Sequence, residues 1–427
     1  MTDLLAQPLK LPCGATLSNR LGKAPLTEGL ADPHNRATDK LVRLYRLWSE
    51  GGAGLLVSGN VQVDRRYLER AGNVAIDNNG GLDMVRAYAK AGTSGGNHFW
   101  MQINHPGRQA GVTRDGTLVA PSAVKLHLAG KETITPRALT EGEILDIIRR
   151  FAHVATMARE CGFTGVQIHA AHGYLFSQFL SGLTNQRTDA WGGSLANRAR
   201  ALLETLRAVR KAVGNDFPIS MKLNSADFQK GGFSNDECLE VVRWLGQEKL
   251  DLLEISGGTY EQASMIGAAA DTAYAPKMKA STLAREGYFI EYAKRMREVT
   301  TMPLMITGGL RSRAAMEEAL ASGGMDVIGL GRPMCVDTDI CKKLLTRQVD
   351  VARSYEKEFR FDPKVLGPDA PADVIKAVEM WGGIGWFYVQ LWRIGEGQEP
   401  DRNLSLFDAF QSWQAGEAKM GEALAPL

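Results

Sequence analysis

The chain has 427 residues, a formal net charge of +2 and 44% hydrophobic residues. This length suits a barrel with insertions, and the apolar content is sufficient for a large buried core. Because lysine and arginine are scattered along the chain, we expect neither a nucleic-acid surface nor a polybasic membrane surface.

Targeting and metal-binding patterns are also absent from the sequence. The first residues lack the basic and apolar regions of a secretory signal, and the longest uncharged apolar run, Met380 to Trp392, is too short to cross a bilayer. The five cysteines are widely separated, without the spacing of a metal site. We therefore expect a cytoplasmic protein with reduced thiols, no metal and no membrane partner.

Short apolar segments alternate with longer amphipathic segments over roughly the first 340 residues. The short segments lack polar alternation, which is typical of strands buried on both faces. Eight such pairs predict a closed (β/α)8 TIM barrel, and no G-x-G-x-x-G follows a strand to indicate a separate Rossmann domain. The predicted strands are Gly22–Pro25, Gly54–Ser58, Trp100–Asn104, Gly165–His169, Ile219–Leu223, Leu252–Ser256, Leu304–Thr307 and Val327–Gly329.

Amphipathic helices are predicted where apolar residues recur three and four positions apart. Ser194 is a candidate N-cap for one of these helices. The apolar stripes are Leu41, Leu44, Tyr45 and Trp48; Ile144, Ile147, Ile148, Phe151 and Val154; and Leu202, Leu203, Leu206 and Val209.

Two regions depart from this alternation. Residues Gly111 to Leu139 are rich in Gly, Pro, Thr and Lys, and we interpret them as a loop excursion over the barrel mouth. Beyond about Lys343 the alternation stops, and Phe361 to Asp373 have the composition of a linker. We therefore divide the chain into a barrel, residues 1–345, and a C-terminal extension, residues 346–427.

The C-terminal extension is unusually aromatic, since it contains Trp381, Trp386, Trp392 and Trp413. A segment of this composition is expected to be covered rather than exposed. We predict that it packs on the barrel or in a subunit interface, which leaves open whether the chain forms a homo-oligomer.

The segment His169-Ala170-Ala171-His172-Gly173-Tyr174 follows an apolar strand. Two histidines three positions apart converge only if the chain turns out of the strand near Ala171. That turn would lie at the strand end, where barrel enzymes place their chemistry. Two imidazoles and a phenol there can hold an electron-rich oxygen and deliver a proton. Satisfied core histidines and a metal site are the alternatives, although no third ligand is apparent.

Glycines follow the last two predicted strands, as the pair Gly308-Gly309 and as Gly331 before Arg332. Glycine permits close backbone approach to a phosphate, and arginine supplies a bidentate cation. Two ordinary tight turns are the alternative.

Lys222 lies inside another apolar strand, where a lysine needs a partner or a chemical role.

Several motifs in this order resemble the old yellow enzyme family, the FMN-dependent ene-reductases. The resemblance covers roughly the first 340 residues. Its motifs are Asn19-Arg20, Ala24-Pro25-Leu26-Thr27, Gln102-Ile103-Asn104-His105-Pro106-Gly107-Arg108, the His169 to Tyr174 segment, Asn185 to Ser194, Met221-Lys222-Leu223, Thr307-Gly308-Gly309 and Gly329-Leu330-Gly331-Arg332-Pro333.

The resemblance implies an FMN site and a transient NADPH or NADH reductant. It also implies that His169 and His172 bind the substrate oxygen and that Tyr174 is the proton donor. Many relatives carry a substrate-contacting Tyr where this chain has Glu28-Gly29, so we expect an altered substrate pocket. The implied FMN contacts are Ala24, Pro25, Leu26, Thr27, Gly59, Asn60, Gln102, Lys222, Gly308, Gly309, Gly331 and Arg332.

These implications predict an oxidoreductase that reduces electron-poor alkenes, namely enones, enals and nitroalkenes, by hydride transfer from reduced flavin and protonation. An NAD(P)H oxidase or an oxidative demethylase on the same flavin scaffold is one alternative. A flavin-free barrel lyase that uses Lys222 as a Schiff-base amine is the other.

Overall fold

The computed structural model describes residues 3–127, 133–257, 290–359, 361–367 and 369–427. Its centre is a closed barrel of eight parallel strands, which confirms the predicted TIM barrel. The strands pair in sequence order, and the last pairs with the first. They are β1 (Leu21–Lys23), β2 (Leu55–Gln62), β3 (His98–Asn104), β4 (Gly165–Ala170), β5 (Ile219–Asn224), β6 (Leu252–Ser256), β7 (Leu304–Thr307) and β8 (Val327–Leu330).

Each predicted strand corresponds to an observed one, with ends that shift by a few residues. Strand β1 ends at Lys23, before Pro25, because proline donates no backbone hydrogen bond to a neighbouring strand. Strand β2 extends to Gln62 through an irregularity between Val57 and Asn60. A bulge of this kind redirects the side chains beyond it.

Helices surround the barrel, and in α1, α3 and α5 the predicted apolar stripes are buried, except that Leu203 is only half-buried. The predicted cap is present, since the Ser194 side chain accepts a hydrogen bond from the Asn197 amide. The helices are α1 (Asp39–Glu50), α2 (Leu82–Gly92), α3 (Glu141–Glu160), α4 (Leu175–Leu180), α5 (Leu195–Val213), α6 (Asn235–Gln247), α7 (Ile290–Arg297), α8 (Arg313–Ala321), α9 (Ile340–Leu345), α10 (Ala372–Gly395) and α11 (Leu406–Ala423).

Among the described residues, three two-stranded pairs lie outside the barrel. Leu9–Lys10 pairs with Thr16–Leu17, and this hairpin packs on apolar residues inside the barrel such as Trp100 and Met305. The hairpin therefore closes one end of the barrel and leaves the carboxyl ends of the strands for polar groups. The other two pairs are Tyr67–Leu68 with Val112–Thr113, and Val119–Ala120 with Arg137–Ala138.

The predicted excursion contains the last of these pairs and one strand, Val112–Thr113, of the pair before it, although residues 128–132 lie outside the described residues. The predicted linker contains a short 3-10 helix, Pro363–Leu366, and ends where α10 begins.

Helices α10 and α11 pack against each other, and α10 also packs against α1. Lys40 of α1 forms an ion pair of 2.7 Å with Glu396, and the Arg43 guanidinium donates to the Gly395 carbonyl at 2.9 Å. The division into a barrel and an extension as separate domains stays a prediction. Within the described residues, no helix has the length and apolar character needed to cross a membrane.

Candidate functional site

A layer of polar side chains crosses the barrel interior near the carboxyl ends of the strands. Gln102 of β3, Gln167 of β4, Lys222 of β5 and Glu254 of β6 are all buried in it. The Lys222 ammonium lies 2.9 Å from Glu254 Oε1, and Thr307 of β7 donates to the same oxygen at 2.7 Å. Burial of these charges is tolerated because they are paired and hydrogen-bonded.

The two glutamines extend this network across the barrel. Gln167 Nε2 donates to Glu254 Oε2 at 2.9 Å, and Gln102 Nε2 donates to Gln167 Oε1 at 2.8 Å. The two glutamines are register partners on adjacent strands. The predicted cofactor residues Gln102 and Lys222 are thus parts of one hydrogen-bonded network.

The predicted histidine pair and Tyr174 converge at the end of β4. The His169 ring centre lies 5.1 Å from that of His172 and 4.8 Å from that of Tyr174, with the rings nearly perpendicular. The chain makes the expected turn, because His172 has φ of 62° and Gly173 has φ of 77°. A non-glycine residue in this region is strained, and such strain is concentrated at functional sites.

Neighbouring elements hold this turn in place. The His172 amide donates to Asn224 Oδ1 at 3.1 Å, and Gln109 Nε2 donates to the His172 carbonyl at 2.9 Å. The Leu175 amide donates to the His105 carbonyl at 3.0 Å. The segment after β3 that contains His105 and Gln109 therefore supports the geometry of the histidine turn.

Both histidines are neutral at physiological pH. Burial, together with the nearby Lys222 cation, holds the pKa of His169 and of His172 well below the usual range. The Ala171 amide lies 3.2 Å from His169 Nδ1 and donates to it, so the proton of the neutral ring is on Nε2. His172 Nε2 lies 2.6 Å from Ser256 Oγ. His169 therefore keeps an N–H donor without carrying a positive charge.

The glycines after β7 and β8 leave the barrel side by side, since Thr307 and Gly329 are register partners. Gly308 and Gly309 have φ of 141° and 78°, which favour glycine. Arg332 begins a short 3-10 helix after Gly331, and its guanidinium lies 3.4 Å from Glu356 Oε1. Backbone amides and a guanidinium thus meet at one edge of the barrel mouth.

The segment after β1 contacts both neighbouring loops. A Cβ atom at Gly59 would lie 2.6 Å from the Leu26 carbonyl, and one at Gly331 would lie 3.6 Å from the Leu26 side chain. The structure therefore brings the 24–27 segment, Gly59 and Gly331 together. The Asn60 side chain is directed elsewhere, because its Oδ1 accepts from Asn73 Nδ2 at 2.8 Å.

Glu28, in the segment for which we expected an altered substrate pocket, has a buried carboxylate. It accepts hydrogen bonds from the Tyr45 hydroxyl and, at 2.9 Å, from the Gly59 amide. Lys23 is also fully buried; burial lowers its pKa to about 8, although the negative charge of Glu28 opposes this shift. Glu28 thus connects the segment after β1 to β2.

The C-terminal helices and the residues that follow them contact three successive loops at the barrel mouth. Trp392 Nε1 donates to the Glu28 carbonyl at 2.9 Å after β1. Arg70, after β2, lies 3.6 Å from Glu417 and 4.4 Å from the Tyr388 ring centre. After β3, the Arg114 guanidinium donates to the Ala425 carbonyl.

The motif analysis found Gln102 and Lys222 but missed Gln167, Glu254 and the structural role of Glu28. Glu254 carried a usable pattern, because a lone acidic residue in the apolar segment Leu252–Ser256 needs a partner as much as Lys222 does. Among the described residues, no group of three or more His, Cys, Asp or Glu side chains is arranged to hold a metal.

This arrangement fits FMN. A carboxamide and an ammonium in the barrel interior suit the polar edge of an isoalloxazine ring. The adjacent glycine turns and Arg332 suit a phosphate. The donor set thus suits both ends of the cofactor.

The chain is similar to known flavin oxidoreductases along most of its length. The model of the NADH:flavin oxidoreductase / NADH oxidase family matches residues 4–350. The NADH-dependent flavin oxidoreductase iliE of Hypocrea jecorina is 36% identical, over 81% of this chain and 90% of that protein. The protein of the same description from Neonectria sp. is 38% identical over 79% of this chain, which spans only 46% of the Neonectria protein.

Solved structures show the same fold. A 2-naphthoyl-CoA reductase in complex with 2-naphthoyl-CoA has a TM-score of 0.73 and 27% identity, over 82% of this chain and 54% of that chain. Morphinone reductase has a TM-score of 0.68 and 24% identity, over 82% of this chain and 91% of that chain. At that identity the second comparison bears on the fold alone.

Proposed function

This chain belongs to the NADH:flavin oxidoreductase / NADH oxidase family, the old yellow enzyme family, and from that premise we propose that it reduces electron-poor alkenes. The cofactors of this oxidoreductase are FMN and NAD(P)H. The proposed substrates are enones, enals and nitroalkenes, in which a carbonyl or nitro group activates the double bond.

The convergence of His169, His172 and Tyr174 at the end of β4 is the observation that supports this substrate class. FMN held near these residues would supply hydride transfer from NAD(P)H to the alkene. Negative charge then develops on the activating oxygen. Neutral imidazole donors held in place by the surrounding turn stabilise that charge without reorganisation.

Each side chain has a distinct role in this proposal. His169 donates through Nε2–H to the substrate oxygen, and His172 is the second group on that oxygen. Loss of one such donor raises the barrier by about 3 kcal/mol, which is about a hundredfold in rate. Tyr174 holds the proton that the adjacent carbon receives, and its buried position limits competing water.

The proposed cofactor contacts follow the same geometry. Gln102 and Lys222 bind the polar edge of the ring, and Gly308, Gly309, Gly331 and Arg332 bind the phosphate. Ala24, Pro25, Leu26 and Thr27 line the ring together with the backbone at Gly59 and Asn60. Cytoplasmic location and homo-oligomer formation stay predictions.

The ion pair at Lys222 argues against the lyase alternative. A Schiff-base amine must be free to attack a carbonyl carbon, whereas the Lys222 side chain is buried and paired with Glu254 at 2.9 Å. An NAD(P)H oxidase on the same scaffold differs in its electron acceptor, so the acceptor is what an experiment must identify.

An anaerobic titration of the purified protein with NADPH and NADH, followed by 2-cyclohexenone, tests the proposal. We expect the flavin absorbance to be lost with the nicotinamide and to return with the enone. A reduced flavin that returns only with air would make the protein an oxidase. Absence of a flavin spectrum, even after FMN is added, would overturn the cofactor assignment as well.

A further inference from the structure

Glu254 occupies the centre of the polar layer inside the barrel. Its side chain is completely buried, and both carboxylate oxygens are engaged. Oε1 accepts from Lys222 at 2.9 Å and from Thr307 at 2.7 Å, whereas Oε2 accepts from Gln167 at 2.9 Å. A fully satisfied network of this kind is rigid and specifies one arrangement.

The pair changes the electrostatic environment at the proposed ring edge. A lone Lys222 would present one positive charge, but the carboxylate in direct contact reduces the net charge to zero. The neighbouring His169 and His172 rings are neutral, because burial holds their pKa well below the usual range. Lys23, the other buried ammonium nearby, donates instead to the Ala24 and Val57 carbonyls.

The same carboxylate determines the orientation of two amides. An ionised carboxylate only accepts hydrogen bonds, so Gln167 must direct its NH2 group to Glu254. Gln167 then presents its oxygen to Gln102, which must direct its own NH2 group back at 2.8 Å. The Gln102 oxygen is thereby left as the acceptor for an N–H group of a bound ring.

We propose that Glu254 sets the reduction potential of the bound flavin by neutralising Lys222 and that, through Gln167, it fixes Gln102 as a hydrogen-bond acceptor. The inference rests on the proposed function, because it assigns the flavin ring to this layer. Two-electron reduction places negative charge on the flavin, so an uncompensated cation favours the reduced form and an uncompensated carboxylate disfavours it.

Reduction potentials of four proteins, measured by equilibration with a reference dye, test the charge effect. Glu254→Gln should raise the potential by about 30 mV or more, a tenfold change in the ratio of reduced to oxidised flavin. Lys222→Met should lower it. The double variant restores zero net charge, and its potential should return near that of the unchanged protein.

Thr307→Val is the matched control, because it removes one hydrogen bond to Glu254 and leaves both charges in place. Its ratio of reduced to oxidised flavin should stay within about twofold of the unchanged protein. If Glu254→Gln and Lys222→Met have the same reduction potential, the charge of Glu254 does not set the potential. Should Glu254→Gln fail to fold, Lys222→Met and the double variant still provide the comparison.

Gln167→Leu tests the orientation separately. It breaks the relay to Gln102 but keeps the Lys222–Glu254 pair, so FMN affinity should fall roughly three- to tenfold while the potential changes little. Unchanged affinity, measured by fluorescence quenching of FMN, would overturn the relay. If the unchanged protein binds no FMN, the proposed function itself fails; if it binds FMN and the variants do not differ, only this inference fails.

Discussion

Replacement of Glu28 by glutamine tests how the segment after β1 is stabilised. The buried carboxylate accepts from the Tyr45 hydroxyl and the Gly59 amide, and its charge favours the ammonium form of buried Lys23. Glutamine has nearly the same size and keeps one acceptor oxygen. The substitution therefore isolates the charge from the packing.

The expected loss follows from the two hydrogen bonds. A bond to a charged acceptor contributes about 1.5–3 kcal/mol, and a neutral bond contributes about 0.5–1.5 kcal/mol. Loss of charge at two bonds therefore reduces the free energy of unfolding by about 2–3 kcal/mol. The NH2 group that glutamine introduces also needs a hydrogen-bond partner in this buried position, and this requirement lowers the free energy of unfolding further.

Urea denaturation of the FMN-free protein, followed by tryptophan fluorescence, measures this change. Glu50→Gln is the matched control, because Glu50 is exposed at the end of the same helix as Tyr45 and its replacement should change stability by less than about 0.5 kcal/mol. If Glu28→Gln is no more destabilising than Glu50→Gln, the carboxylate has no structural role at this position.

Three further predictions concern the histidine turn and the C-terminal helices. His172→Ala should slow flavin reoxidation by 2-cyclohexenone about a hundredfold in stopped-flow traces, and a change of less than about threefold would argue against an oxyanion role. Because the pKa of both histidines is depressed in the folded state, the unfolded chain binds more protons below about pH 6.5. The free energy of unfolding should therefore decrease as the pH falls below that value, while kcat shows no inflection between about pH 6 and 8; a histidine-like step in kcat would contradict neutral donors. Truncation after residue 359 should expose the apolar surface of α1 and cause aggregation, detectable by light scattering, and a soluble, fully active truncated protein would refute this.

Much of the barrel could be predicted from the sequence because its strands are short, apolar and regularly spaced. Strand ends were less predictable, since they depend on pairing with strands that are distant in sequence. Strand β2 is an example: its irregularity at Val57 to Asn60 arises from its pairing with β3, which no local pattern encodes.

The histidine turn was predictable because its residues are adjacent in sequence. The Lys222–Glu254 pair was not, because the two residues are 32 positions apart and meet only through the register of β5 and β6. Glu28 is a similar case, since its partners Tyr45 and Gly59 belong to different elements. Local patterns indicate which residues need partners, and the tertiary structure determines which partners they find.

The contacts between the C-terminal helices and the mouth loops restrict how this chain can diverge. Trp392 donates to the Glu28 carbonyl, and Arg70, which is paired with Glu69, also lies against Tyr388 and Glu417. A substitution in one of these loops therefore favours a compensating substitution in the helices, and the reverse also holds. The loops after β1 and β2 are therefore expected to be inherited together with the final helices, so a chimera that exchanges one without the other should fail where a joint exchange succeeds.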